Sequence, residues 1–400
     1  MRDPLENAYP EVGYQTVEWD MLKPPDERVM PLTHTNRLKL SEMSVRTDMD
    51  LTEYSLVDSI GNTYTRDDLN TVHDTPDPSR VDEVVSKIKQ SDGKTRRVAL
   101  AHLAEIAAVS PDECGSTVEL MVDLLTDSSP AVQGEALGIL TQIGEADPEL
   151  TRAGVEPALQ LVDNSPHPLL RNEVLQFLSV FAEHDPATVT DVVPQLAALL
   201  QDDVTDTDSA ARILAAVASS HPAALIDVVP KLELFLETEP GRAHVWILAA
   251  IGHLSKEHAN IAVEVIPTAA ELLSAETVAL RSNAAGVLAD LADEYPSEVK
   301  PWASDAIGLM EDPDEQVRYN ATSLLSRVAS EHPDTVRPAT DQLLAVLDED
   351  ELASTRFNAC WALKYINATS ALEHLREVAA TDPDDDVRSV AQFAIDSIEQ

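Results

Sequence analysis

The chain has 400 residues, with 44% hydrophobic residues, only 4% aromatics and a formal net charge of −43. That is enough apolar material for a core, and small aliphatic side chains suit closely stacked helices. The charge disfavours unassisted binding to nucleic-acid phosphates at low salt, and no run of 18 apolar residues offers a membrane span.

Residues 1–78 form a non-repeating N-terminal arm. It holds five of the sixteen aromatics, Tyr9, Tyr14, Trp19, Tyr54 and Tyr64, and prolines at 4, 10, 24, 25, 31, 76 and 78. The alternation through Val12–Trp19 predicts extended structure. Ser55–Ile60 and Thr63–Thr65 flank Gly61-Asn62, a dipeptide that favours a tight hairpin turn. The aromatic content argues against pure disorder. The arm reads equally well as a cap on the rest of the chain or as a partner-binding tail, with Trp19 a candidate contact. Met1-Arg2-Asp3-Pro4 has no apolar signal core. Cys114 and Cys360, the only cysteines, lie far apart and predict free buried thiols in a reducing, cytoplasmic setting.

Residues 80–97 are the one locally basic stretch, with Arg80, Lys87, Lys89, Lys94, Arg96 and Arg97 against Asp82, Glu83 and Asp92. Lys87, Lys89, Lys94 and Arg97 are candidates for contacting an acidic partner or nucleic acid. The simpler reading is a first repeat neutralised by its own acidic N-terminal arm.

From residue 79 onward the chain repeats. Pro148, Pro186, Pro222, Pro296 and Pro333 each follow an apolar helical run, at separations of 38, 36, 74 and 37 residues, and Pro111 lies 37 upstream. The missing member falls at Ala259. A period near 37 over most of a chain predicts a helical array. Within a period, one apolar helix ends near an acidic turn such as Glu311–Asp314. A second helix comes next, with Val317, Ala321, Leu324, Leu325, Val328 and Ala329 forming one stripe. Proline stops it, because the residue before a proline is pushed out of helical geometry. A second proline (157, 194, 230, 267, 301 or 338) often opens the next helix, where its missing N–H costs nothing. Nine units result: 79–109, 113–146, 150–184, 187–220, 223–257, 259–294, 297–331, 334–367 and 369–399.

The pattern Asp-Pro-Asp-x-x-Val-Arg, followed by Ala and Leu at helical spacing and clearest at Val317-Arg318 and Val387-Arg388, resembles HEAT repeats. The resemblance extends to the HEAT-like units of bilin lyases, and the charge resembles that of extreme halophiles. It implies an all-α fold: an α-solenoid of about nine helical hairpins behind a partly extended arm. It also implies an Arg ladder, whose rungs are Arg96, Arg171, Arg281, Arg318, Arg356 and Arg388, paired with turn acids of neighbouring repeats. Candidate partners are Asp127, Asp163, Asp312, Asp348 and Asp382. The rung is replaced by Gln133, Thr207 and His244 in units 2, 4 and 5, and the gap at units 4 and 5 predicts a curvature change or a docking surface. A structural ladder is preferred over a basic line that grips a ligand.

The acids are spread over nearly every segment, and the basic residues are 19 Arg and only 9 Lys. Salt adaptation explains this better than one acidic docking face. His184, His221, His258 and His332 end second helices, but a whole repeat separates neighbours, so no metal site is expected. HEAT-type hydroxylases carry His-Glu iron ligands, and the chain has no His-Glu. No cofactor motif or catalytic constellation occurs. The sequons at Asn320 and Asn367 fall in helical repeats and read as chance. These features predict a non-enzymatic scaffold for an unidentified protein partner, with Trp246 and Trp302 as further candidate contacts. A lyase-type enzyme and a nucleic-acid-associated protein are the alternatives.

Overall fold

The computed structural model describes residues 56–57, 63–64, 76–91, 93–164, 168–201 and 206–400. In the arm, Leu56–Val57 (β1) pairs antiparallel with Thr63–Tyr64 (β2), Leu56 opposite Tyr64 and Val57 opposite Thr63. The register leaves residues 58–62 between the strands. Gly61-Asn62, the tight turn that the sequence suggests, lies outside the described residues.

Nine helix pairs succeed it among the described residues. Their second helices are α1 (Gly93–Val109), α2 (Pro130–Ala146), α3 (Pro168–His184), α4 (Thr207–Ser220), α5 (Arg242–Ala262), α6 (Val278–Glu294), α7 (Glu315–Glu331), α8 (Ala353–Tyr365) and α9 (Asp385–Ile398). No helix of the described residues is long and apolar enough to cross a membrane.

Where the sequence suggests a single first helix, the structure usually shows a broken one. In unit 4 a 3₁₀ segment, Pro186–Val192, precedes a short helix, Val193–Leu199. In unit 7, Pro296–Val299, Lys300–Trp302 and Ala303–Leu309 follow one another as α, 3₁₀ and α. A second proline contributes to the break in units 4 and 7, although unit 2 breaks in the same way, Pro111–Thr117 then Val118–Leu124, without one. Pro301 and Pro194 lack the N–H that a continuous α ladder needs, so the chain tightens into i→i+3 bonding before them.

The unit boundary has a recurrent geometry. The residue ending each second helix leaves the helical region: His221 (φ −136, ψ 56), Tyr295 (−128, 50) and His332 (−127, 59), each before a proline. His258 adopts the same conformation (−136, 50), but Ala259 keeps its N–H, and α5 runs on across that kink to Ala262. Unit 8 ends differently. Asn367 takes φ 52, and Ala368 N–H donates to the Leu363 carbonyl at 3.0 Å, a left-handed helix stop that Asn tolerates.

The helices group into two compact bodies that divide after Val217, within α4. In the first, α1 packs on α2 and α2 on α3. Its core carries Leu100, Leu103, Ile106, Leu137 and Leu140, and an edge-to-face pair, Phe177 and Phe181, with centroids 5.3 Å apart. In the second, α5, α6, α7, α8 and α9 stack in order. Every residue from Tyr319 to Ala329 of α7 is buried, because α7 has helices on three sides. Asp314 caps α7, its carboxylate accepting from Gln316 N–H (3.0 Å) and Val317 N–H (3.1 Å). At the C-terminal end Trp361, 1% exposed, packs with Phe357, Tyr365 and Phe393, and the Lys364 ammonium lies 4.4–4.8 Å from three of these rings.

Candidate interaction surface

The Arg rungs face inward, between consecutive turns. Arg281 Nε donates to Asp312 at 2.8 Å, Arg318 Nε to Asp350 at 2.6 Å, and Arg96 Nη1 to Asp127 at 3.1 Å. Arg356 makes two bonds to Asp382, at 2.7 and 2.9 Å. In each of these pairs the partner belongs to the turn of the next unit. The other side of the guanidinium holds the rung's own turn: Arg281 Nη1 donates to the carbonyls of Ala275 and Glu276, each at 2.8 Å. Arg318 and Arg356 repeat this on Asp312 and Pro313, and on Asp350 and Glu351. The acid is doubly used as well. Asp312, Asp350 and Asp382 each accept, through Oδ1, a backbone N–H two residues on, at 2.9 Å.

One partner differs from expectation. Arg318 pairs with Asp350, not Asp348. The first helix of unit 8 ends at Glu349, so Asp350 holds the capping place that Asp312 holds one unit earlier. Asp348 is still helical, and its carboxylate lies 3.8 Å from His374 Nε2. Arg388, in unit 9, binds the Asp382 carbonyl and Asp385. Arg171 is half-buried at the same helical position, and the side chain of Asp163 lies outside the described residues.

Two of the three substituted rungs solve the same problem with neutral groups. Gln133 Nε2 donates to the Leu125 carbonyl at 2.9 Å. His244, 2% exposed, accepts the Gly241 N–H on Nδ1 at 3.1 Å and lies against Phe235, with ring centroids 4.5 Å apart. Burial pushes its pKa below the ordinary histidine value. An acceptor at Nδ1 requires the neutral ring, so the unit 5 turn is closed without a guanidinium.

A second ladder has no counterpart in the sequence reading. Asn283 Nδ2 donates to the Val245 carbonyl at 3.0 Å, and Asn320 Nδ2 to the Ser282 carbonyl at 2.9 Å. Both side chains are fully buried and tie adjacent second helices together. Asn320 is therefore closed to glycosylation.

The basic first unit is partly neutralised from within. Lys87 pairs with Glu83 at 2.8 Å, Arg80 approaches the same carboxylate at 3.3 Å, and Arg96 belongs to the ladder. Glu83 is held down at a pKa of about 2, by Lys87 first and Arg80 second. Lys87 and Lys89 are exposed and Arg97 is half-buried. The side chain of Lys94, and Trp19, lie outside the described residues.

The tryptophans fall on different helix rows. Trp246 is half-buried on α5, a second helix, whereas Trp302 is half-buried on the first segment of unit 7. Trp302 lines an open groove of about 540 Å³ with Glu271, Asp305, Gly308, Arg281 and Asp312. The Arg281–Asp312 pair lines this groove too, and three carboxylates against one guanidinium leave a formal charge of −2 there. Among the described residues, neither the Trp302 ring nor the Glu271 and Asp305 carboxylates have a hydrogen-bond, ion-pair or ring partner. Also among the described residues, no three His, Cys, Asp or Glu side chains converge as metal ligands.

Residues 303–396 match the family model of HEAT repeats. No curated protein matches the chain. An engineered protein of known structure is 21% identical, covers 80% of this chain and 99% of its own, and superposes with a TM-score of 0.58. A designed armadillo repeat protein in complex with the peptide (KR)4 is 20% identical over 52% of this chain and 99% of its own, with a TM-score of 0.47. A second engineered protein is 23% identical over 52% and 98%, with a TM-score of 0.46. Together with the helix pairs, the likeness to the first of these structures shows an all-α helical-repeat fold, and residues 303–396 resemble HEAT repeats.

Proposed function

We propose that the chain is an interaction scaffold that holds a protein partner on the surface of its repeat array, acting inside the cell. The observation that carries this reading is the groove at Trp302. Elsewhere the interior polar groups of the ladders are spent on one another, and the guanidiniums that sequence alone would offer to a ligand are engaged in the turns. At Trp302 a large aromatic side chain and two carboxylates stand on the surface without partners among the described residues. Half-exposed tryptophans in concave sites are common anchors of protein interfaces.

The dispersed acidity fits a surface adapted to high salt, where the repulsion between such charges is screened. Binding through an aromatic anchor survives those conditions better than binding through charge alone. The test is affinity purification of the full chain from its native extract at native salt, followed by cross-linking. A partner cross-linked within residues 266–312 supports the reading. Recovery of no stable partner, together with turnover of a small molecule by the purified chain, would sink it.

A further inference from the structure

We propose that the Trp302 groove receives a cationic side chain, arginine foremost, from an extended basic segment of the partner. The inference rests on the scaffold reading and adds the chemistry of the occupant. Three features converge on a cation. The indole offers a π-face, and Trp is the best aromatic acceptor of a guanidinium or ammonium. Glu271 and Asp305, both lining the groove, are exposed and without partners among the described residues. They supply negative charge without having to surrender an internal bond. The lining Asp312 is already engaged by Arg281 at 2.8 Å, so the site's negative charge beyond that pair comes from the other two carboxylates.

The shape agrees with the charge. The groove is open, which suits the planar end of a long side chain entering from an extended strand more than a buried small molecule. A methyl placed on Gly308 would meet nothing within 4 Å, so the groove has free depth at its wall. A guanidinium stacked on Trp302 would share the groove with the Glu271 and Asp305 carboxylates. Arginine fits better than lysine, because its planar head stacks on the ring and offers several fixed N–H donors at once. An acidic or phosphate-bearing occupant would meet the same carboxylates as repulsion.

The test uses the full chain and a fluorescein-labelled twelve-residue peptide alternating arginine and glycine, read by anisotropy at 0.15 M and 0.5 M KCl. A lysine–glycine and a serine–glycine peptide serve for comparison. The arginine peptide should bind most tightly and the serine peptide least. Trp302→Ala should weaken binding roughly three- to thirtyfold, the range of a desolvated cation–π contact. Trp302→Phe should retain most of it. Gly308→Gln, which fills open space without touching the core, should block it. Glu271→Gln with Asp305→Asn should weaken binding and flatten its salt dependence. Asp341→Asn with Glu349→Gln removes the same charge elsewhere on the surface and should do much less.

Equal effects of the two double variants, together with no effect of Trp302→Ala or Gly308→Gln, would overturn the groove as the site. So would tighter binding of the serine peptide than the arginine peptide. Either result leaves the scaffold reading standing if the native partner is still captured. Capture of no partner at all is the separate outcome that removes the scaffold reading itself. Gly308→Gln and the double variant change only exposed positions, so a folding defect in Trp302→Ala does not void the test.

Discussion

Asp382→Ala removes the most buried rung of the Arg ladder. The Arg356 and Asp382 side chains are 8% and 4% exposed and joined by two bonds, and Asp382 also closes its turn on the Asp384 N–H. Taking away one member of a buried pair costs about 3–5 kcal/mol, because the other charge stays behind. Arg356 keeps two carbonyl acceptors, at 2.8 and 3.1 Å, which places the cost near the lower end, about 3 kcal/mol. In a repeat array stability is a sum of unit and interface terms. The Arg356–Asp382 pair joins unit 8 to the turn of unit 9, so the loss falls on that interface. A cost of about 3 kcal/mol raises its open population roughly 150-fold. Amide hydrogen exchange should show protection in α9 falling by about two orders of magnitude, with α2 and α3 unchanged.

Acid should remove the same contribution. Burial alone would raise the Asp382 pKa, but the Arg356 hydrogen bond, the Asp384 amide and nearby guanidiniums outweigh it and hold it below the ordinary 3.8. The depressed value means that the contribution is fully present above about pH 3.8 and lost as pH falls through the folded value. The gap between variant and parent should be flat from pH 7 to 5 and close below pH 3.8. A loss of protection under threefold, or an equal loss in α2, would refute the reasoning. Asp185→Ala, which breaks the exposed Arg152 pair, should leave stability unchanged.

Two glycines six residues apart on α2 should respond with opposite sign. A methyl at Gly144 would stand 2.7 Å from Thr151 Oγ1, so Gly144→Ala should cost about 1–3 kcal/mol in urea unfolding. Gly138 faces open space, and Gly138→Ala should stabilise by about 0.5–1 kcal/mol. His244, with its pKa lowered by burial, should titrate below 6.5 in NMR, and its contribution to unit 5 should be present above pH 6.5 and lost on acidification. A midpoint above 6.5 would contradict its role as an acceptor. Cys114, pushed up to about pKa 11 by burial, and Cys360, raised further still, should resist a thiol reagent at pH 8 in the native chain and react fully in urea.

The range of each interaction decides how far it can be read from sequence. The helix pairs were legible because proline acts on its own neighbours and the apolar stripe repeats within one helix. Residues such as Leu324 and Val328 are buried as the stripe requires. The Arg rungs were legible because the residue type is rare and recurs in register. The choice of Asp350 over Asp348 was not, since it depends on where the preceding helix ends. The Asn ladder was hidden for another reason: its acceptors are backbone carbonyls 38 residues away, which leave no complementary residue type to find. Asn283 and Asn320, each two residues after a rung, were the available signal; Asn358 holds the same place, but its buried amide makes no such bond among the described residues.

The candidate site was half legible. Trp302 stood out because tryptophan is scarce, but Glu271 and Asp305 look like any other acids in so acidic a chain. Asp305 is local to Trp302, three residues on, and only stacking of units 6 and 7 adds Glu271. His244 looked like a gap in the ladder because its substitute contacts, the Gly241 N–H and the Phe235 ring, lie within its own unit. The basic stretch reads as neutralised by the arm, whereas folding sets Glu83 and Asp127, from its own and the next unit, beside its cations.

The most direct test of the account is where a captured partner touches the chain. Cross-linking mass spectrometry on the complex purified at native salt should place contacts at residues 266–312, and Gly308→Gln should abolish them. Contacts confined to other units and indifferent to Gly308→Gln would contradict it.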